Sequence, residues 1–172
     1  MCVAIARWPI GHTIRPASAI ANAVPRGENR RLPVSLDVPH LVVEITALAD
    51  VAVAAVAVRR WASREGLDAS TAAELATCAS ELASNTMRHG GGGRIELAAQ
   101  LDRVIMRAGD RGRGEVAALR ERLHEVRSRP QRPSDEHGLA TVVRWMDEVE
   151  VTERSGGGVE FVASRLRARR RR

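Results

Sequence analysis

The stretch A-A-E-L-A-T-C-A-S-E-L-A-S-N-T-M-R-H-G-G-G-G, residues 72–93, decides the fold. Alanine and leucine favour helix, and neither Pro nor Gly interrupts the run before Gly90, so it predicts one long helix with a glycine stop. At about 100° per residue, one side of this helix is apolar and the other polar. The apolar side carries Leu75, Cys78, Ala79, Leu82 and Thr86.

Glu81 and Asn85 lie four residues apart on the polar side, so their side chains stand one helical turn apart on the same face. A carboxylate there can accept a proton or orient a nucleophile. The asparagine carbonyl can give a neutral oxygen ligand to Mg²⁺, an ion that keeps several waters and is shared with substrate phosphates. The same spacing also describes an ordinary solvated helix face, so the chemical interpretation depends on the rest of the chain.

The composition indicates a globular domain whose core is built from small aliphatic side chains. Of the 172 residues, 44% are hydrophobic and 28% charged, as in soluble globular proteins, but only 2% are aromatic. Every basic residue is arginine. Because lysine is absent from the chain, a Walker A loop and any mechanism that needs a catalytic lysine are excluded.

The positive charge is concentrated at the C-terminal end. Six arginines lie within residues 165–172, which equals the net charge of +6, so the remainder of the chain is close to neutral. A block of like charge is typical of a solvated, disordered end. A nucleic-acid partner would depend on this block alone, and we therefore expect none.

The cysteines and the hydropathy pattern predict a cytoplasmic protein. Cys2 and Cys78 form neither a disulfide framework nor a metal-binding CxxC pair, which is typical of structural thiols in a reducing compartment. No stretch approaches the roughly eighteen apolar residues of a membrane span. Pro9, Gly11 and Arg15 interrupt the N-terminal apolar residues, so neither a signal peptide nor a membrane partner is expected.

Three segments are predicted along the chain. Residues 1–39 are punctuated by five prolines and lack a sustained period, so we expect a mostly disordered extension. Residues 40–166 form the folded domain, and residues 167–172 an arginine-rich tail. Within the domain, the patterns predict strands at 40–46, 94–100, 103–108, 148–153 and 159–164, and helices at 47–64, 115–126 and 138–146 besides the long one.

Strands that are adjacent in sequence, with the helices segregated from them, predict an α+β fold. We expect a two-layer α/β sandwich with a mixed or antiparallel sheet covered by helices on one face.

Three polar, glycine-rich segments stand in a definite order: E-L-A-S-N-T-M-R-H-G at 81–90, D-R-G-R-G at 110–114, and H-G-L-A-T-V-V-R-W-M-D-E at 137–148. This order resembles the ATP-binding domain of the GHKL superfamily, which has the Bergerat-type fold and includes gyrase B, Hsp90, histidine kinases and MutL. Within it, the chain is most similar to the small bacterial anti-sigma-factor and switch-protein serine/threonine kinases. The run at 81–93 and M-D-E-V-E-V are closest to the kinase of the stressosome scaffold.

The resemblance implies a site for ATP and Mg²⁺. It gives Glu81 the role of base or orienter for an attacking serine hydroxyl, and Asn85 that of the metal ligand. It places Asp110 against the adenine amino group. The other implied nucleotide contacts are Gly112 and Gly114, which would let the backbone turn under the base, and Gly138 and Leu139 at the start of a helix near phosphate.

The implied function is phosphorylation of a serine on a STAS-domain partner, an anti-anti-sigma or scaffold protein, with a sigma factor or a PP2C-type phosphatase as further partners. The chain departs from the family pattern at Glu136, where the lid usually has glycine, and at Val159, where a threonine hydroxyl is lost. A glutamate there would repel the γ-phosphate. The alternative is therefore a weak or inactive ATP-binding switch module that acts by docking.

Overall fold

The computed structural model describes residues 40–112, 114–128, 138–154 and 157–167, all of which lie in the compact unit Ser35–Arg172. The extension predicted at 1–39 and most of the lid, including Glu136 and His137, lie outside the described residues. No helix within the described ranges combines the length and hydrophobicity needed to cross a bilayer.

Within these described ranges, four helices and five strands follow the predicted order. They are β1 (Leu41–Ile45), α1 (Leu48–Arg64), α2 (Ala69–Gly90), β2 (Gly93–Ala99), β3 (Arg103–Asp110), α3 (Val116–Ser128), α4 (Leu139–Trp145), β4 (Glu148–Glu153) and β5 (Val159–Leu166).

The five strands form one sheet in the order β1-β2-β3-β5-β4. All four pairings are antiparallel, so the antiparallel form of the predicted sheet is the observed one and no parallel pair occurs among the described strands. The register pairs Gly93 of β2 with Asp110 of β3, whereas the β3–β5 pairing ends one residue earlier, at Gly109 and Glu160. The predicted α+β fold is confirmed.

The core lies between the helices and one face of the sheet. The core residues alternate along β2, β3, β4 and β5, because successive side chains of a strand point to opposite faces of the sheet. The strand residues of the core are Ile45, Ile95, Leu97, Val104, Met106, Ala108, Val149, Val151, Val159, Phe161 and Ala163. The helical layer meets them largely with alanine, which lets α1 and α2 pack closely together.

The sequence allows Asp68 or Ser70 as the N-cap of α2 and predicts a glycine stop at its end; the structure selects Asp68 and has the glycine stop. Asp68 is its N-cap, and the carboxylate accepts hydrogen bonds from the Thr71 backbone N–H at 2.9 Å and the Thr71 hydroxyl at 2.7 Å. At the other end Gly91 takes the left-handed conformation, with φ of 65°, and the N–H of the next residue, Gly92, donates to the carbonyl of Thr86 at 3.1 Å. All five residues predicted on the apolar side are buried.

The structure differs from the sequence expectations at one end of α1 and at the C-terminal arginines. The helical spacing of Leu48 and Val58 predicts that both are buried, but Leu48 is 71% exposed, because the buried face consists of Ala54, Val58, Trp61 and Ala62. Arg165, counted with the C-terminal arginines, is a buried residue of β5 that forms an ion pair with Glu74 of α2. Arg167 also lies on the domain, where its guanidinium donates to backbone carbonyls of Gln100 and Glu65.

Candidate functional site

The polar side of α2 presents a carboxylate and an amide that have no partner among the described residues. Glu81 and Asn85 are both half-buried. In the described part of the chain, neither side chain takes part in a hydrogen bond or an ion pair. Half-buried polar groups without a protein partner remain available to a ligand or to water, since removing them from water without a partner is costly.

The end of α2 packs directly against Asp110, the last residue of β3. A Cβ added at Gly90 would overlap the Asp110 Cβ and lie 2.6 Å from its Cγ. Real Cβ atoms do not approach so closely, so only glycine permits this contact. Tertiary packing therefore brings the predicted base-binding carboxylate to the end of the helix that carries Glu81 and Asn85.

Two backbone N–H groups hold the carboxylate of Asp110 in one orientation. Its Oδ1 accepts from Gly112 N–H at 2.9 Å and from Val159 N–H at 3.1 Å. The residue is only 8% exposed, and Oδ2 makes no hydrogen bond within the described ranges. A carboxylate oxygen with unused acceptor capacity, on a largely buried residue, matches the requirement for binding an amino group.

Gly112 and Gly114 lie where a side chain would not fit. Neither is among the glycines with positive φ, so the left-handed backbone that glycine permits is not the reason for glycine here. Instead, a Cβ at Gly112 would lie 2.8 Å from both the Gly90 Cα and the His89 carbonyl oxygen, and one at Gly114 would lie 2.9 Å from a methyl carbon of Val159. The segment after β3 therefore lies tightly against the end of α2 and the start of β5.

The structure adds three residues around Asp110 that the sequence did not indicate as parts of this site. Gly158, with φ of 94°, packs against the Asp110 carbonyl so closely that a Cβ would overlap the oxygen. Arg154 Nη1 donates to that carbonyl at 3.0 Å. Val159 was noted only for its missing hydroxyl, whereas its backbone N–H makes the contact. The glycine run at 156–158 was the one sequence pattern that could have indicated them.

Gly138 is the N-cap of α4, as the sequence predicts, and Leu139 is its first residue. Gly138 has φ of 73°, and a Cβ built there would meet no atom within 4 Å, so its backbone borders open space. Leu139 is half-buried against the core. Helix α4 packs against α2, which makes α2 the element shared by both parts of the candidate site.

Asn85 and Glu81 lie at increasing distances along α2 from the point where the end of the helix contacts Asp110 of β3. With a rise of about 1.5 Å per residue, Asn85 lies about 8 Å and Glu81 about 14 Å along the helix axis from the Gly90–Asp110 contact. This separation is comparable with the length of a nucleoside triphosphate. A base at Asp110 and a terminal phosphate near Glu81 are therefore geometrically compatible.

The side-chain oxygen atoms of Glu81 and Asn85 suit a cation that takes most of its ligands from phosphates and water. Among the described residues, no three His, Cys, Asp or Glu side chains converge on a common point. Asn85 and Glu81 offer two hard oxygen donors one turn apart, which fits Mg²⁺ shared with phosphates and water and does not fit an all-protein cage.

Cys78 lies on α2 between Glu74 and Glu81 and is fully buried. Burial raises the pKa of its thiol to about 12, because the thiolate would lose its hydration, while the nearby Arg165 acts in the opposite direction. The thiol is thus protonated near neutrality, in agreement with the structural role predicted for it.

The comparisons with known proteins agree with this geometry. The sequence model of the histidine kinase-like ATPase domain family matches residues 46–163, which is more than half of the chain. The chain therefore belongs to the histidine kinase-like ATPase family, an ATP-binding family, and the resemblance inferred from the three sequence segments is confirmed.

Among solved structures, the fold is similar to a chain of the SiaB–SiaC complex from Pseudomonas aeruginosa, with a TM-score of 0.52. The match covers 74% of this chain and 89% of that one at 13% sequence identity, so the similarity concerns the fold alone. No curated protein sequence matches the chain significantly.

Proposed function

We propose that this domain is an ATP-dependent serine kinase that phosphorylates a STAS-domain partner in a bacterial partner-switching pathway. One observation carries the proposal. The buried, oriented carboxylate of Asp110 lies at the end of α2, whose polar side presents Glu81 and Asn85, two side chains without a partner among the described residues. Base recognition, metal binding and proton transfer are then arranged along one helix.

Asp110 is the proposed acceptor for the adenine amino group. Its Oδ1 is occupied by two backbone N–H groups, which leaves Oδ2 for the ligand. Because the carboxylate is held by the backbone, little orientational freedom is lost when the base binds. Gly138, at the open start of α4, and the neighbouring Leu139 complete the proposed phosphate end of the site.

Asn85 is the proposed Mg²⁺ ligand. A bound Mg²⁺ would neutralise phosphate charge and align the terminal phosphate for transfer. Asn85 supplies a neutral oxygen, so the phosphates and water would provide the remaining ligands.

Glu81 is the proposed proton acceptor. In the transfer, the partner's serine oxygen forms a bond to the γ-phosphorus while the bond from that phosphorus to the β–γ bridging oxygen breaks and ADP leaves. The serine proton passes to the Glu81 carboxylate, which has no protein partner in the described structure. Most of the catalysis would come from positioning and charge neutralisation, since phosphoryl transfer needs little other help from the protein.

The proposed partner is a STAS-domain protein, either an anti-anti-sigma factor or a scaffold, with a sigma factor or a PP2C-type phosphatase as a further binding protein. Support comes from the similarity of the run at 81–93 to stressosome kinases. The fold match to a structure determined as a complex with a second protein is consistent with it. We place the domain at 40–166 and in the cytoplasm.

The decisive experiment is calorimetric titration of ATP with Mg²⁺, followed by transfer of labelled γ-phosphate to a cognate STAS protein. We expect Asn85→Ala to weaken Mg²⁺-dependent ATP binding, and Glu81→Ala to retain binding but lose transfer. Thr77→Ala, an exposed position on the same helix, is the matched control and should change neither. ATP binding by the wild type that is insensitive to Asn85→Ala would remove the proposed site.

The second candidate function is a docking switch without phosphoryl transfer. Glu136 motivates it, because a carboxylate in the lid opposes the γ-phosphate. In that case the partner would bind equally well without nucleotide, and Glu81→Ala would leave partner affinity unchanged.

A further inference from the structure

Arg154, the residue after β4, reaches across the sheet to the end of β3. Its Nη1 donates to the carbonyl oxygen of Asp110 at 3.0 Å. Its side chain also lies over Gly109, where an added Cβ would be 3.3 Å from the Cδ, Nε and Cζ atoms. Forty-four residues separate the arginine from the aspartate in sequence, so only the folded chain brings them together.

The contact satisfies a backbone group at the end of a strand pairing. The β3–β5 pairing ends at Gly109 and Glu160, so Asp110 lies one residue beyond the last pair on that side. Arg154 donates to the Asp110 carbonyl at this point. Since an unpaired buried carbonyl is costly, the hydrogen bond fixes the Asp110 peptide at the position where its side chain enters the site.

The same arginine also anchors the turn that supplies the second hydrogen bond to the carboxylate. Arg154 N–H donates to Gly158 O at 3.1 Å, and Gly157 N–H donates to Arg154 O at 3.0 Å. The next residue, Val159, donates its N–H to Asp110 Oδ1. Arg154 is therefore bonded to the Asp110 backbone through its side chain and to the carboxylate-binding turn through its own backbone.

We propose that Arg154 is a positioning residue that sets the direction of the Asp110 carboxylate and thereby the preference of the site for a purine with an amino group. The inference rests on the proposed function, because it assumes that Asp110 binds the base. It adds a specificity determinant at Arg154, directly after β4 and outside the three sequence segments that define the family resemblance.

A purely structural role for Arg154 makes a different prediction. If the arginine only stabilises the sheet, its removal should weaken the binding of all nucleotides equally, or weaken none. If it orients Asp110, only ligands that donate to the carboxylate lose affinity. Purine riboside triphosphate, which lacks the amino group of adenine, separates the two cases.

The test compares ATP and purine riboside triphosphate as ligands of Arg154→Met and Arg120→Met. Arg120 is the matched control, because its Nε donates to the Val151 carbonyl at 2.9 Å, which is also an arginine-to-backbone hydrogen bond from outside the strand. For Arg154→Met we expect ATP affinity to fall about tenfold, the worth of one well-placed hydrogen bond, with little change for the analogue. Arg120→Met should leave the ratio of the two affinities at its wild-type value.

Arg154→Lys keeps a donor and should recover part of the preference for ATP; it carries the test if the methionine variant does not fold. Equal losses for both nucleotides, or an unchanged ratio, would overturn the positioning role while leaving the proposed function in place. A wild-type protein that binds neither nucleotide would overturn the proposed function and this inference with it.

Discussion

The guanidinium of Arg165 on β5 and the carboxylate of Glu74 on α2 form an ion pair inside the domain. Arg165 is only 5% exposed, while the Glu74 side chain retains 17% exposure. The Nε and Nη1 atoms of Arg165 are buried without a well-aligned hydrogen bond. The pair connects α2 to the sheet, at the end of α2 that lies opposite Asp110.

Replacing Arg165 with methionine should destabilise the domain. The change leaves the Glu74 carboxylate half-buried without its counter-charge, which costs about 3 kcal/mol at the lower end of the range for broken buried pairs, because Glu74 keeps some contact with water. Urea unfolding of Arg165→Met against the wild type measures the difference.

The double variant Arg165→Met with Glu74→Leu is the control for that change. Apolar residues of similar volume often replace a buried ion pair without loss, so the double variant should regain most of the unfolding free energy. Equal destabilisation of the single and double variants would contradict this account.

Gly90→Ala should impair the candidate site. The new methyl group would overlap the side chain of Asp110, which must move away from its two backbone donors. Such overpacking costs about 1–3 kcal/mol of stability. We expect ATP affinity, measured by calorimetry, to fall more than the affinity for purine riboside triphosphate.

Gly91→Ala provides the comparison for Gly90→Ala. Gly91 has φ of 65°, and a Cβ there would meet no atom within 4 Å. Its replacement should cost about 1 kcal/mol through backbone strain alone and leave nucleotide preference unchanged. If both variants alter nucleotide binding alike, the Gly90–Asp110 contact has no special role.

Cys78 should make stability fall at alkaline pH. Burial raises the pKa of its thiol from 9.0 to about 12 in the folded chain. Below pH 9 the thiol is protonated in both states; between pH 9 and 12 the unfolded chain loses this proton and the native chain keeps it. The free energy of unfolding should therefore fall by up to about 1.4 kcal/mol per pH unit in that window.

The check on the thiol uses the Cys2→Ser background, where Cys78 is the sole cysteine. Urea unfolding from pH 8 to 11 should give a steeper decline in this chain than in one that also carries Cys78→Ala. Parallel slopes would show that another group causes the decline.

Asp68→Ala should destabilise α2 without changing the site. The carboxylate caps the helix through the backbone N–H and hydroxyl of Thr71, and these hydrogen bonds lower the pKa of Asp68. Loss of such a cap destabilises the helix, because the Thr71 N–H loses its acceptor. Thermal unfolding of Asp68→Ala should show the loss of stability. Asp68→Asn keeps an acceptor and should retain most of the stability. Both variants should bind nucleotide as the wild type does.

Local interactions explain why much of the fold was predictable. The cap at Asp68, the glycine stop after Gly90 and the apolar side of α2 depend on residues within a few positions of each other. Alternation of the core residues along a strand reflects the two-residue period of its side chains. The polar pair Glu81 and Asn85 could be recognised for the same reason, because helical spacing alone places both side chains on one face.

Long-range packing decided the rest. The sequence alone left the sheet mixed or antiparallel, placed Leu48 in the core and counted Arg165 with a solvated end. In the folded domain Arg165 meets Glu74 because β5 lies next to β3 beneath α2. No local sequence pattern predicts the strand pairing or the Arg165–Glu74 ion pair, since each joins segments that are distant in the chain.

The amino-acid sequence by itself determined the α+β class, the helix that bears Glu81 and Asn85, and the family. Periodicity and capping depend on residues close together in the chain, and the order of the three motifs can be read directly along it. Only the tertiary structure decided how Asp110 is held: by Gly90 at the end of α2, by Val159 N–H and by Arg154. The physical reason is that a buried carboxylate takes its partners from whichever backbone groups the packed sheet brings within hydrogen-bonding distance.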